Sequence, residues 1–263
     1  MRLVRFKPAS GDDEIYHGRI EGATVVKIEG DIFSEYEFAE EEFDISGVEI
    51  LPPVFPPNIV AIGLNYHDHA EETGHEPPEK PVIFMKATSS ITANHSAIVL
   101  PRQHPDCVDY EAELGIVIGK KAKNVSVSRA RDYILGYTCV NDVTARDCQE
   151  NDVQWARAKS FDTFCPVGPW LETSLDPDNC RIKARVNGET RQDSNTDNMI
   201  FSVEEIVSYC SENMTLLPGT LILTGTPAGV GKGFNPPEYL QEGDKVEVEI
   251  AGIGSLENKV KAG

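Results

Sequence analysis

The sequence predicts a β-rich α+β fold: a mixed β-sandwich or roll with a few helices at its margins, preceded by a small N-terminal subdomain. Three observations carry this expectation. Short strand-like segments outnumber helical ones, without the regular strand–helix–strand rhythm of a parallel sheet. Asn187-Gly188 stands between two alternating runs, the strongest short hairpin signal. Four prolines fill six positions at 52–57, and such a stretch can continue neither a helix nor a central strand.

Taken in order, Arg2 to Phe6, Ile15 to Ile20 and Thr24 to Ile28 are expected strands between Gly-containing and acidic turns. The acidic run Glu35 to Asp44, with Tyr36, Phe38 and Phe43 interleaved, reads as a solvated edge. A stiff linker at 51–57 is expected to divide the N-terminal subdomain (1–52) from the main domain (58–263). There, Asn58 to Gly63 is a short buried strand and Tyr66 to Glu72 is helical. Val82 to Lys86 and Tyr110 to Ile118 are strands. Ser128 to Asp132 starts a short helix, and Ile134 to Asn141 is an apolar strand. Arg181 to Val186 and Glu189 to Gln192 form the hairpin. Ser202 with Glu205 makes a capping box that opens a helix to about Glu212. Leu216 to Gly219 turns into the strand Thr220 to Thr224, and Lys245 to Ile250 alternates near the end.

A chain of 263 residues, 40% of them apolar, has enough material for a real core. A net charge of −19 argues against nucleic-acid and anionic-membrane partners, because both need a basic face. No apolar stretch reaches the roughly 18 residues of a membrane span. The opening MRLVRFKPASGDDE has basic residues but no apolar run behind them, so a secretory signal is not expected and a cytoplasmic location is. Six scattered cysteines lack zinc-type spacing and are read as reduced thiols.

The segment Asp109 to Gly119 is the most informative. In a strand, Ala112, Leu114, Ile116 and Ile118 share one apolar face, and Glu111 and Glu113 share the other. Two such acids are either the wet face of an amphipathic strand or ligands to a hard divalent cation. Asp142 ends the apolar run Ile134 to Val140 and needs a partner, as a helix N-cap or as a third ligand. Three carboxylates with open positions would suit a metal that keeps waters and chelates a substrate.

His69 and Glu72 are i, i+3 neighbours on the expected helix, where the carboxylate can fix the imidazole as a general base; an exposed polar helix with chance pairs is the alternative. The polar stretch Gly74 to Lys80 could order over a bound ligand. His17, His67, His75, His95 and His104 are read as ordinary surface or core residues. Lys86 and Lys159 either snorkel to solvent or offer fixed charge to a developing oxyanion. Leu221 to Gly233 resembles a phosphate-binding loop but fails. The position that should be its first Gly is Thr226, Gly233 stands where Ser or Thr belongs, and two prolines follow. Its Thr-Gly-Thr-Pro backbone could still bind a small carboxylate.

Gly63-x-Asn65-Tyr66-x-x-His69, Lys86, Glu111-x-Glu113, Asn141-Asp142-x-Thr-Ala-Arg146-Asp147, Lys159-Ser-Phe-Asp, Pro166-x-Gly-Pro and Thr224-Gly-Thr-Pro227 occur in this order. As a set they resemble the fumarylacetoacetate hydrolase (FAH) family over roughly 58–260. The resemblance implies a fold like that family's C-terminal domain, and a homodimer. It also implies Mg²⁺ or Mn²⁺ held by Glu111, Glu113 and Asp142, with Ca²⁺ as a non-native occupant. His69 and Glu72 would be the water-activating pair and Lys159 a stabiliser of negative charge. Asn65, Tyr66, Lys86, Arg146, Gln149 and Thr226 would contact substrate or support the site. The animal tyrosine-catabolism enzyme has a much longer N-terminal domain than the 50 or so residues here. The chain is therefore more similar to short members that handle acylpyruvates, oxaloacetate or products of aromatic-ring cleavage.

The expected function is C–C hydrolysis of a small 2-oxo acid of the acylpyruvate type through a metal-held enolate, with His69 activating water. Oxaloacetate decarboxylation and isomerisation of a 2-hydroxyhepta-2,4-diene-1,7-dioate use the same enolate and are the alternatives. A catalytically silent acidic domain that binds cations or partner proteins is the non-enzyme alternative; mere cation binding would not require the His69–Glu72 pair.

Overall fold

The computed structural model describes residues 1–9 and 14–263. Its β-rich mixed architecture is the one the sequence predicts. One large sheet runs in the order Tyr36–Asp44, Thr24–Gly30, Tyr16–Glu21, Arg2–Pro8, Cys165–Glu172, Ile134–Asn141, Ala112–Ile118, Leu221–Leu223, Ile59–Gly63 and Val82–Lys86. The acidic segment forms the outermost strand of this path, where charge discourages edge-to-edge pairing. The N-terminal strands belong to the same large sheet, because Arg2–Pro8 pairs with Cys165–Glu172 as well as with its own neighbours.

A smaller sheet, ordered Glu189–Asn195, Arg181–Val186, Lys245–Ile250, Gly254–Ala262 and Ala97–Leu100, covers one face of the large one. Its first two strands are the Asn187-Gly188 hairpin, with positive φ at both turn residues. The Ala112–Ile118 strand shows how the two layers use alternation. Ala112, Leu114, Ile116 and Ile118 join the core cluster that includes Ile182, Ala184, Val248 and Ile250 of the small sheet. Val117 joins a second cluster behind it, with Val140, Leu171, Leu221 and Leu3. Every residue of this strand is buried, so the wet-face alternative does not apply.

The helices are few: His67–Thr73, Arg146–Asn151, Ala156–Lys159 and Val203–Asn213. Both halves of the Ser202/Glu205 capping box form. The expected helix at 128–132 is instead a 3-10 segment, Val127–Tyr133, with one buried residue, Ala130, too little apolar face to hold an α-helix. No helix among the described residues is long and apolar enough to cross a membrane.

Candidate functional site

Two adjacent strand ends bring the acids together. Ala112 pairs with Asn141 across the antiparallel ladder, and the Asp142 N–H donates to the Glu111 carbonyl at 2.8 Å. Glu111 and Asp142 are thereby cross-strand neighbours, and Glu113 follows on the face of Glu111. One ligand oxygen from each of Glu111, Glu113 and Asp142 lies within 4.8 Å of the others, and all three residues are buried. Asp142 caps no helix: the helix that follows starts after Ala145.

Like charges set opposite each other destabilise a ladder unless something positive intervenes. Lys159 Nζ donates to Glu111 Oε2 at 2.6 Å and to Asp142 Oδ2 at 2.7 Å. Lys86 Nζ donates to Asp142 Oδ1 and to the carbonyls of Phe164 (2.9 Å) and Val143 (3.3 Å). Neither lysine snorkels: both are buried, and Lys86 spends its ammonium on these interior acceptors. Arg146 bridges Asp109 (Nε to Oδ2, 2.8 Å) and Glu111 (Nη1 to Oε1, 2.7 Å), and meets Gln149 Oε1 at 3.0 Å. Among the described residues Glu113 has no ion-pair partner; its Oε2 accepts the Gly225 N–H at 2.7 Å.

The charges respond accordingly. Burial opposes ionisation of Glu111, but Lys159 and Arg146 outweigh it and hold the pKa at about 2. At Glu113, burial and then Asp142 and Glu111 push the pKa well above the ordinary carboxylate range. Burial pulls Lys159 down, yet Asp142 and Glu111 keep it raised, so the ammonium stays charged. Asp109, Glu111, Glu113 and Asp142 thus share a buried cluster with Lys86, Lys159 and Arg146. A divalent cation fits this donor set: all-oxygen ligands suit a hard ion, and its charge supplies what Glu113 lacks. Buried Tyr66 Oη, Asn141 Nδ2 and Arg146 Nη2 have no hydrogen-bond partner among the described residues. They leave polar capacity for ligands around the acids, and Tyr66 is close enough to Glu113 to feel its charge.

The His69–Glu72 pair forms as the spacing predicts, with Nδ1 2.9 Å from Oε2 and both side chains partly exposed. The other Glu72 oxygen accepts the Gly229 N–H at 2.8 Å. His69 is near enough to Glu111 to be among the charges lowering its pKa.

Asn65 and Thr226 flank the site through the Gly225 turn. Asn65 is buried, with Nδ2 donating to the Thr224 and Phe201 carbonyls (2.8 and 3.1 Å) and Oδ1 accepting from Phe201 N–H (2.8 Å). Thr226 accepts from Gln192 Nε2 at 2.7 Å. Within the Thr-Gly-Thr-Pro turn, the Gly225 N–H is spent on a carboxylate of the chain, and so are several N–H groups just after the turn. The N–H groups of Gly225, Ala228, Gly229, Gly231 and Lys232 go to Glu113, Asp68, Glu72 and Asp109 of the chain itself. Asp109 is a participant that sequence reasoning missed, although its i, i−2 relation to Glu111 already placed it on the same face. Asp68 and Gln192 carry no comparable local signal.

The fold thus brings a three-carboxylate cluster beside a histidine–glutamate pair, an arrangement of the kind enzymes use. Residues 58–261 match the family described as fumarylacetoacetate (FAA) hydrolase C-terminal, and residues 1–53 match the one described as Rv2993c-like, N-terminal. The chain belongs to the fumarylacetoacetate hydrolase family, as its motifs predict. It is 44% identical over 220 residues to the mitochondrial oxaloacetate tautomerase Fahd2a of Rattus norvegicus, covering 82% of this chain and 70% of that protein. The structure of 2-hydroxyhepta-2,4-diene-1,7-dioate isomerase from Mycobacterium marinum superposes with a TM-score of 0.89 at 42% identity, covering 100% of this chain and 98% of that one. Maleylpyruvate hydrolase from Sphingobium sp. SYK-6, solved with manganese (II) and pyruvate, gives a TM-score of 0.80 at 27% identity, covering 100% of both chains.

Proposed function

We propose that the chain is a divalent-metal-dependent enzyme that moves a proton beside the 2-oxo group of a small 2-oxo acid, as a tautomerase or isomerase. The observation that carries this reading is Glu113, a buried carboxyl with no ion-pair partner among the described residues, next to two acids already paired with lysine. Glu111, Glu113 and Asp142 would hold Mg²⁺ or Mn²⁺, which when bound stabilises negative charge developing on the 2-oxo oxygen. Lys159 adds fixed positive charge on the same side. Glu72 accepts a hydrogen bond from the Nδ1–H of His69, which leaves the Nε2 lone pair to remove a proton from carbon and return it elsewhere in the same molecule. Isomerisation and tautomerisation need no more than that shuttle. The likeness to the rat tautomerase and the M. marinum isomerase supports it.

C–C hydrolysis, the first expectation from sequence, is the second reading. The partly exposed His69–Glu72 pair can equally draw a proton from water, and the Sphingobium relative is a hydrolase. The test is a substrate panel with Mn²⁺: the enol of oxaloacetate, a 2-hydroxydienedioate and acylpyruvates, for wild type and His69→Ala. Loss of the enol or diene absorbance without pyruvate release is expected, with His69→Ala slower by about a hundredfold or more. Pyruvate release from an acylpyruvate would move the assignment to hydrolysis. Full turnover in EDTA would overturn the metal's part.

The homodimer implied by the resemblance is also proposed. A solution mass twice the 28.9 kDa of the chain would support it, and 28.9 kDa would refute it.

A further inference from the structure

The helix that carries His69 does not stand by itself. His67–Thr73 has seven residues, fewer than an isolated helix needs, and it places Asp68 and Glu72 at i, i+4, where like charges repel. Both carboxylates are instead met from outside. Asp68 Oδ2 accepts from Ser194 Oγ at 2.6 Å, and its Oδ1 accepts from the Ala228 N–H at 3.3 Å. Glu72 Oε1 accepts from the Gly229 N–H at 2.8 Å while Oε2 holds His69.

The glycines of the 229–233 turn differ in what they spare. A Cβ on Gly229 would lie 2.0 Å from the Arg191 carbonyl oxygen, and one on Gly231 2.2 Å from that of Glu238, so both protect backbone packing. A Cβ on Gly233 would lie 2.4 Å from Glu72 Oε1 and 2.7 Å from its Cδ, atoms at the end of a flexible side chain. Alanine there leaves the backbone in place and displaces the carboxylate that orients His69.

We infer that the 225–233 loop sets where His69 stands, with Gly233 and Asp68 as positioning residues for the proton carrier. This rests on the role proposed for His69. Gly233 keeps the Glu72 carboxylate seated against His69, and Asp68, through Ser194 and Ala228, fixes the first turn of the same helix.

The experiment compares Gly233→Ala, Asp68→Ala, Asp68→Asn and the control Gly47→Ala, whose Cβ would meet nothing within 4 Å. The Gly233 and Asp68 alanine variants are also made on the His69→Ala background. Readouts are kcat, KM, Mn²⁺ affinity by electron paramagnetic resonance, and deuterium uptake at residues 67–74. Gly233→Ala and Asp68→Ala should lower kcat by about ten- to a hundredfold, with KM and Mn²⁺ affinity moving less than about threefold. Uptake at 67–74 should rise in Asp68→Ala and recover partly in Asp68→Asn, which keeps an acceptor oxygen. On His69→Ala, either alanine change should cost less than about twofold more, since the group being positioned is gone. Losses that multiply on that background, or unchanged kcat in both single variants, would overturn the inference. Wild-type turnover by His69→Ala alone would instead sink the proton-carrier role. The docking of the helix would then stand or fall on the deuterium uptake.

Discussion

Among the described residues Glu113 receives one backbone N–H and no ion-pair partner, although it is buried with three other carboxylates. Keeping such a carboxyl buried is costly, because it must either take up a proton or carry an uncompensated charge, and proteins retain such costs where function needs them. Glu113→Gln keeps an acceptor for the Gly225 N–H and removes the ionisable group. The metal-free variant should therefore melt about 2–4 °C higher than metal-free wild type, corresponding to about 1 kcal/mol, and should gain nothing from added Mg²⁺. Differential scanning calorimetry with and without metal checks this; a lower metal-free Tm would contradict it. The acids themselves were legible in the sequence, because period-2 spacing put Glu111 and Glu113 on one face and Asp142 ended an apolar run. The isolation of Glu113 was not, since it depends on how Lys86, Arg146 and Lys159 from three separate segments share themselves among Asp109, Glu111 and Asp142.

Elements around the site were read unevenly, for reasons of local chemistry. Asn187-Gly188 and the Ser202/Glu205 box are self-contained signals, and both formed. Cys165–Glu172 was missed because Pro166 and Pro169 argue against a strand. The sheet accommodates Pro169 where the register with Ile134–Asn141 shifts, between Tyr137 and Cys139, while Pro166 lies outside the shift and faces Thr92 of the two-residue strand Ile91–Thr92. Gly254–Ala262 was missed because buried Asn258 breaks its apolar alternation; the amide is satisfied by the carbonyls of Ala93 and Ser96. The helix Arg146–Asn151 carries a prediction at this scale. Burial raises the Asp147 pKa, but the bond from His104 (2.6 Å) and the Cys148 N–H (2.8 Å) outweigh it and leave the carboxyl below its ordinary value. A carboxyl lowered in the fold stabilises above its unfolded pKa, and that stabilisation is lost as pH falls through the folded value. The Tm advantage of wild type over Asp147→Asn should be full near pH 6 and should close as the pH drops below the ordinary aspartate range. A gap that persisted undiminished at pH 2 would contradict it.

At the scale of the molecule, two sheets pack face to face, and the chemistry sits where adjacent strands of the larger one end together. The strand that carries Glu113 packs on both faces and cannot move freely, so the carboxylates are held before any ligand arrives. The helix with His69 is the short, partly exposed piece beside this rigid centre, tied on through Asp68 and Glu72 to the strand Glu189–Asn195 and to the loop at Gly229. Rigid acids and a docked base make one enzyme only if a cation joins them. The most direct measurement is Mn²⁺ titration of the metal-free protein by electron paramagnetic resonance, for wild type and for Glu111→Gln, Glu113→Gln and Asp142→Asn. One Mn²⁺ per chain is predicted for wild type, with affinity falling about a hundredfold or more in each variant. Stoichiometric binding of undiminished affinity in all three variants would contradict the account.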